Sequence, residues 1–131
     1  DINATSAMIV PTGTTANRPV AGITGMVRYN SDNGGTIETF NGTQWNGTIR
    51  NTQNINVPNI TANNSLSVSV TVTGATVGSV VYISPSTALT AGIVIAWARV
   101  SAANTVEIRF NNVSGGNINL PAQDFSIRVI Q

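Results

Sequence analysis

Apolar and polar residues alternate along much of this chain with the period of two that a pleated strand imposes, and no stretch carries the 3.6-residue period of a helix. The alternation is clearest after residue 64. Leu66, Val68, Val70 and Val72 fall on one face, with Ser65, Ser67, Ser69, Thr71 and Thr73 on the other, so one face meets a core. Gly74 ends that strand, and Val77 to Ser84 predicts the next, where Val80, Val81, Tyr82 and Ile83 are apolar on both faces and suggest a central position. Pro85 to Gly92 reads as a loop, Ile93 to Val100 and Val106 to Asn111 as strands, and Asn111 to Pro121 as a further loop. Phe125, Ile127 and Val129 then alternate with outward Ser126 and Arg128. Strands with turns at this spacing predict a small antiparallel β-sandwich, jelly-roll-like, over residues 65–131.

Register can be argued for one hairpin. A three-residue loop over 102–104, with Asn104 left-handed, sets Val100 against Val106, Ala98 against Ile108 and Ala96 against Phe110, all toward the core. The outer face then pairs Arg99 with Glu107 and Trp97 with Arg109, the latter close enough for a cation–π contact. Phe110 and Phe125 are expected in the core.

The first part of the chain is patterned in shorter pieces. Ala7 to Val10 is a weak strand signal, Pro11 to Thr14 a turn, and Asn17-Arg18-Pro19 an extended segment lying along a partner surface. Gly22 to Ile49 reads as a β-meander: a strand over Met26 to Tyr29, a turn over Asn30 to Gly35, a strand from Thr36, an Asn41-Gly42 two-residue turn, and a third strand over Thr43 to Ile49. Such a unit has too few large apolar side chains to offset about 1–2 kcal/mol per residue of backbone ordering, so it needs another domain or other copies of itself. Residues 54–64, rich in Asn and Thr with Pro58, predict a linker between an arm and meander over 1–53 and the sandwich over 65–131.

Gly25-Met26-Val27-Arg28-Tyr29-Asn30-Ser31-Asp32, Glu38, Phe40-Asn41-Gly42-Thr43 and Trp45, with Val10 to Thr15 and Arg18-Pro19 upstream, resemble a module recurrent in bacteriophage tail-fibre, head-fibre and other virion surface proteins. The doubled Gly34-Gly35 departs from that pattern. Val72 to Gly78, Ser84-Pro85, Ala91-Gly92 and Val100 to Thr105 are similar to a domain found repeatedly in phage structural proteins, including capsid-decoration types. The resemblance implies a homotrimeric, non-enzymatic piece of the virion surface whose partners are itself and other virion proteins.

Composition narrows the chemistry. Charged residues make up only 8% of the 131 residues, against about 25% in a typical soluble domain, so solubility rests on hydroxyls and amides. The net charge of +1, with every basic residue an arginine, offers no field for nucleic acid. Without Cys or His there are no disulfides, thiolate metal sites or imidazole bases, and no cofactor or metal is expected. No apolar run is long enough for a transmembrane helix, so no membrane insertion is expected. The chain starts at Asp1 and not Met, as expected of a processed or cut piece of something longer or of a numbering that starts after removed residues.

The carboxylates Asp1, Asp32, Glu38, Glu107 and Asp124 are scattered, and no pair reads as an acid/base couple, which disfavours an enzyme. Asn30 to Gly34 reads as a turn sooner than a calcium loop, because it lacks a distal bidentate glutamate. Asn-x-Ser/Thr triplets at Asn3, Asn41, Asn46, Asn59, Asn63 and Asn112 follow from composition alone. Candidate glycan or subunit-interface contacts are Tyr29, Trp45, Trp97 and Arg109, since an indole face packs equally well in a core, against a subunit or on a sugar ring. The leading expectation is a virion structural subunit, of fibre, spike or capsid-decoration type, contributing to particle stability or host attachment. The alternative is a carbohydrate-binding, receptor-recognition module reading a host surface glycan; a bacterial surface adhesin fragment shares the same composition.

Overall fold

The computed structural model describes residues 7–32 and 34–131; the triplet at Asn3 and the Asn33 position of the first turn lie outside them. The chain is all-β, and its one helical turn among the described residues is the 3₁₀ segment Thr15–Asn17. It divides into two compact units, residues 1–48 and 49–131.

In the first unit, β1 (Thr12–Gly13), β2 (Val27–Asn30), β3 (Thr36–Phe40) and β4 (Trp45–Asn46) form a four-stranded sheet in that order. β2, β3 and β4 are the antiparallel meander, and β1 adds to it in parallel with Thr12 beside Tyr29. The strand at the start of the chain is therefore Thr12–Gly13 and not Ala7 to Val10: the Pro11 carbonyl accepts from Tyr29 N at 2.8 Å, where the expected turn would have left both unpaired. Gly34 and Gly35 both hold positive φ, 83° and 71°, so the doubled glycine lets two successive residues take a conformation costly to any other side chain. The second turn is wider than expected. Phe40 pairs with Trp45, leaving a loop over residues 41–44 in which Asn41 Oδ1 accepts from Thr43 N and Gln44 N, both at 2.9 Å. The amide of Asn41 shapes the turn through its side chain, a role a two-residue hairpin does not require.

The second unit is a sandwich of two three-stranded sheets. One has the order β5 (Thr48–Ile55), β10 (Gln123–Ile130), β7 (Val80–Pro85), the other β6 (Ser65–Thr71), β9 (Thr105–Asn112), β8 (Ile93–Ala102). β9 and β10 are the middle strands, and their inward side chains, Val106, Ile108, Phe110, Phe125, Ile127 and Val129, are wholly buried. Phe110 and Phe125 meet edge to face with centroids 5.9 Å apart.

Two expectations are corrected here. β7 is an edge strand, not a central one, and Val80 and Tyr82 stand exposed on its outer side. Pro85, which has no N–H to give to a second neighbour, closes that edge. The segment expected as a linker is part of the core: Thr48–Ile55 is a strand, and Ile55, Val57 and Ile60 are buried, with Ile60 bridged to Ile118. The unit boundary accordingly falls between Thr48 and Ile49.

The β8–β9 hairpin keeps Val100 opposite Val106, Ala98 opposite Ile108, Arg99 opposite Glu107 and Trp97 opposite Arg109. It does so by a different route. Ala102 pairs with Thr105 across a two-residue turn, and a bulge at Ser101 supplies the missing offset. A second bulge at Ala96 puts Ile95, and not Ala96, opposite Phe110. Asn104 is left-handed, φ 60°, as expected, and its Oδ1 accepts from Gly74 N at 2.7 Å.

Candidate functional site

The first unit buries charge on one face of its sheet and leaves a row of apolar side chains on the other. Register sets Arg28 opposite Glu38 on the face that also carries Asn30, Phe40 and Trp45, while Val27, Tyr29, Ile37 and Thr39 share the other. Glu38 is 1% exposed. Arg18, reaching in from the segment after the 3₁₀ turn, donates to both its oxygens, Nη2 to Oε2 at 2.6 Å and Nε to Oε1 at 3.2 Å. Arg28 Nε lies 3.6 Å from Oε1, and Asn30 Nδ2 donates to Oε2 at 3.1 Å. Asn17-Arg18-Pro19, expected along a partner surface, is thus tied to this unit's own sheet.

Burial pulls the Glu38 carboxyl upward, but the Arg18 and Asn30 hydrogen bonds and the two guanidinium charges outweigh it and hold the group below its ordinary value. Asp32 is also held low, chiefly by the Thr15 backbone N–H, which donates to its Oδ2 at 2.7 Å. Two carboxyls shifted the same way do not divide into an acid and a base. This cluster clamps the arm onto the sheet.

Of the sequence candidates, Tyr29 and Trp45 therefore stand on opposite faces of one sheet. Trp45 packs on Phe40 at 5.3 Å with the Arg28 guanidinium 5.9 Å from its ring centroid, in a cleft of about 230 Å³ lined also by Pro11, Pro19 and Met26. Tyr29, 38% exposed, lies on the open face with Val27 and with Ile37, 52% exposed. Its hydroxyl passes over Gly35, where an added Cβ would sit 2.0 Å away.

Trp97 and Arg109 lie together in the second unit, on the outer face of the β6–β9–β8 sheet. Trp97 is 43% exposed. The cation beside its ring is Arg99, at 5.7 Å, and not Arg109 as expected, because Arg109 turns the other way across the sheet. Arg109 Nη1 donates to Ser67 Oγ at 3.1 Å and Nη2 to Ser65 Oγ. Arg99 is paired with Glu107 at 2.8 Å, whereas Arg109, next to Glu107 in the same outward row, makes no ion pair within 4 Å among the described residues.

Sequence reasoning missed the ground next to Arg109. Asn63, Asn64, Ser65, Asn111, Asn112 and Val113 line a polar hollow of about 330 Å³ at the end of the same sheet. Asn112 is consumed structurally: it is buried, its Nδ2 donates to the Ile60 and Gly116 carbonyls, and its Oδ1 accepts from Ser114 N. Asn111 points outward in the row of Arg109 and Glu107. The signal available in the sequence was the pair of Asn-Asn doublets, read above only as loop composition.

Comparison with family models, curated proteins and solved structures found no match. The functional reading therefore rests on these surfaces.

Proposed function

We propose that this chain is a non-enzymatic structural subunit of a bacteriophage particle surface, a homotrimeric fibre, spike or capsid-decoration component that contributes to particle stability or host attachment. One observation supports it above the others: every buried apolar side chain among the described residues lies at Ile49 or later, while the first unit buries Arg28, Asn30 and Glu38 and leaves Val27, Tyr29 and Ile37 on an open sheet face. An apolar sheet face left in water is a hydrophobic liability that identical copies relieve by covering it. Other virion proteins are its further partners in this reading.

Sedimentation velocity at micromolar concentration tests it. A trimer that Ile37→Asp dissociates is the expected result, and a stable monomer with an intact first unit overturns it.

A second reading, a carbohydrate-binding module that recognises a surface glycan, is favoured by a specific feature of the second unit. Trp97 is exposed across the strand pair from Arg109, whose own strand carries Asn111 at the polar hollow, an arrangement in which an indole face stacks on a sugar ring while polar groups farther along the sheet orient it. A glycan array without hits removes that reading.

A further inference from the structure

The second unit carries four arginines, Arg50, Arg99, Arg109 and Arg128, against Glu107 and Asp124, a net charge of +2, although the whole chain carries only +1. Arg99 is paired with Glu107 and lies over the Trp97 ring, 5.7 Å from its centroid, so a ligand would meet the part of the indole that Arg99 does not cover. Among the described residues Arg109 is held by the hydroxyls of Ser65 and Ser67, and it sits between two features that would each suit a sugar. Directly across the strand pair is Trp97. Along its own strand is Asn111, at the polar hollow, with Ser65 shared between the hollow and the guanidinium.

From this row we propose that the outer face of the β6–β9–β8 sheet binds an acidic saccharide, with a pyranose ring stacked on Trp97, the sugar carboxylate on Arg109, and ring hydroxyls in the hollow beside Asn111 and Asn64. The proposal rests on the carbohydrate-binding reading and deepens it by naming the ligand class. Ser65 and Ser67 accept from Arg109, which leaves their own O–H protons free to donate. Those hydroxyls and the guanidinium together form a donor set matched to a carboxylate, and a carboxylate would give Arg109 the countercharge it lacks. The hollow, about 330 Å³, falls within the range of small-ligand sites. A neutral sugar would use the indole and the amides but leave the guanidinium without an anion.

The test is calorimetric titration of the whole chain with trigalacturonate and with 3′-sialyllactose, each beside its neutral counterpart, the methyl ester and lactose. At least one acid should bind about tenfold or more tightly than its counterpart. Trp97→Ala should weaken both acid and neutral probes, and Arg109→Gln should bring the acid's affinity down to the neutral one's, with unchanged unfolding midpoints. Which acid binds distinguishes a uronic from a sialic acid source. Equal binding of acid and neutral probes overturns the proposal and leaves the carbohydrate reading standing; no binding of any probe overturns both. Acid-selective binding that neither substitution alters overturns the site.

Discussion

The two units of this chain use the same alternating strands to opposite ends. In the second, the inward positions of β9 and β10 are Val, Ile and Phe along their middle, with Asn112 and Gln123 buried at the ends, and the outward ones are mostly polar or charged: Thr105, Glu107, Arg109, Asn111, Asp124, Ser126 and Arg128. In the first, the fully buried inward positions of β2 and β3 are Arg28, Asn30 and Glu38, joined by half-buried Phe40, while Val27, Tyr29 and Ile37 face out. A period of two states that a strand has two unlike faces without stating which one is inside. The second unit can hold itself together by burial; the first holds its arm by one ion cluster and leaves its apolar face for something else.

The hardest blow to that contrast is a core substitution in the second unit. Phe110→Ala removes a wholly buried ring packed on Phe125 and should cost about 3–5 kcal/mol in denaturant unfolding. A cost under about 1 kcal/mol would mean that this core is not what stabilises the sandwich. Ile37→Ala, on the open face of the first unit, should by comparison change the unfolding of the unassembled chain by less than about 0.5 kcal/mol.

Glu38→Ala is the corresponding blow in the first unit. It leaves the buried Arg28 without its countercharge and frees Arg18, and should destabilise that unit by roughly 3 kcal/mol, at the low end for a broken buried pair because Arg18 keeps partial access to water. The two tryptophans make this measurable, since Trp45 reports one unit and Trp97 the other. With Trp97→Phe as background, the Trp45 signal should shift to lower denaturant on Glu38→Ala. With Trp45→Phe, the Trp97 signal should stay in place. Movement of both together would show the units to be one cooperative block.

Acid tests the same cluster by a gentler route. The folded Glu38 carboxyl is held below its ordinary value, so the unfolded chain binds more protons in the interval between the two. Its stabilisation is therefore complete above the unfolded value of about 4.3 and is lost as pH falls through the lower folded value. The Trp45 midpoint should fall below about pH 4 and stay flat from pH 6 to 8, where no side chain of this His-free chain ordinarily titrates. Glu38→Gln should flatten most of the acid slope, with Asp32 supplying a smaller remainder of the same sign. An unchanged slope in Glu38→Gln would assign the acid response to other carboxylates.

What was legible in the sequence follows from where local and long-range physics agree. Most β8–β9 partners, the buried Phe110 and Phe125 and the left-handed Asn104 were readable, because alternation and turn chemistry pointed the same way; the loop length and the Ala96–Phe110 pair were not, because bulges at Ser101 and Ala96 leave no mark in the alternation. Ile55, Val57 and Ile60 were hidden by the polar residues around them, which disguise a buried strand end as a linker. The exposure of Tyr82 was misread because a strand apolar on both faces can be a middle strand or an edge awaiting a partner. At the candidate site the individual side chains Trp97 and Arg109 were readable. The hollow beside them was not, since it requires a loop near Asn63 and a strand end at Asn111 to meet. The inversion of the first unit was the deepest miss, and it is the feature that most favours assembly.

The finest test returns to the β8–β9 turn, where the sandwich depends on a single backbone conformation. Asn104 holds φ 60° and ties Gly74 N through its side chain, while its own N–H donates to the Ala75 carbonyl at 2.8 Å. Asn104→Ala places a Cβ residue with no compensating side-chain bond in the left-handed region and removes the tie to Gly74. It should cost about 1–2 kcal/mol on the Trp97 reporter. Asn104→Gly removes the same tie but accepts the conformation, so it should cost less than the alanine. If glycine costs as much as alanine, the bond to Gly74 and not the left-handed backbone is what holds this end of the sandwich. If neither substitution moves the Trp97 midpoint while the Trp45 midpoint shifts, the hairpin tip belongs energetically to the wrong unit, and the contrast between the two regions fails at its smallest joint.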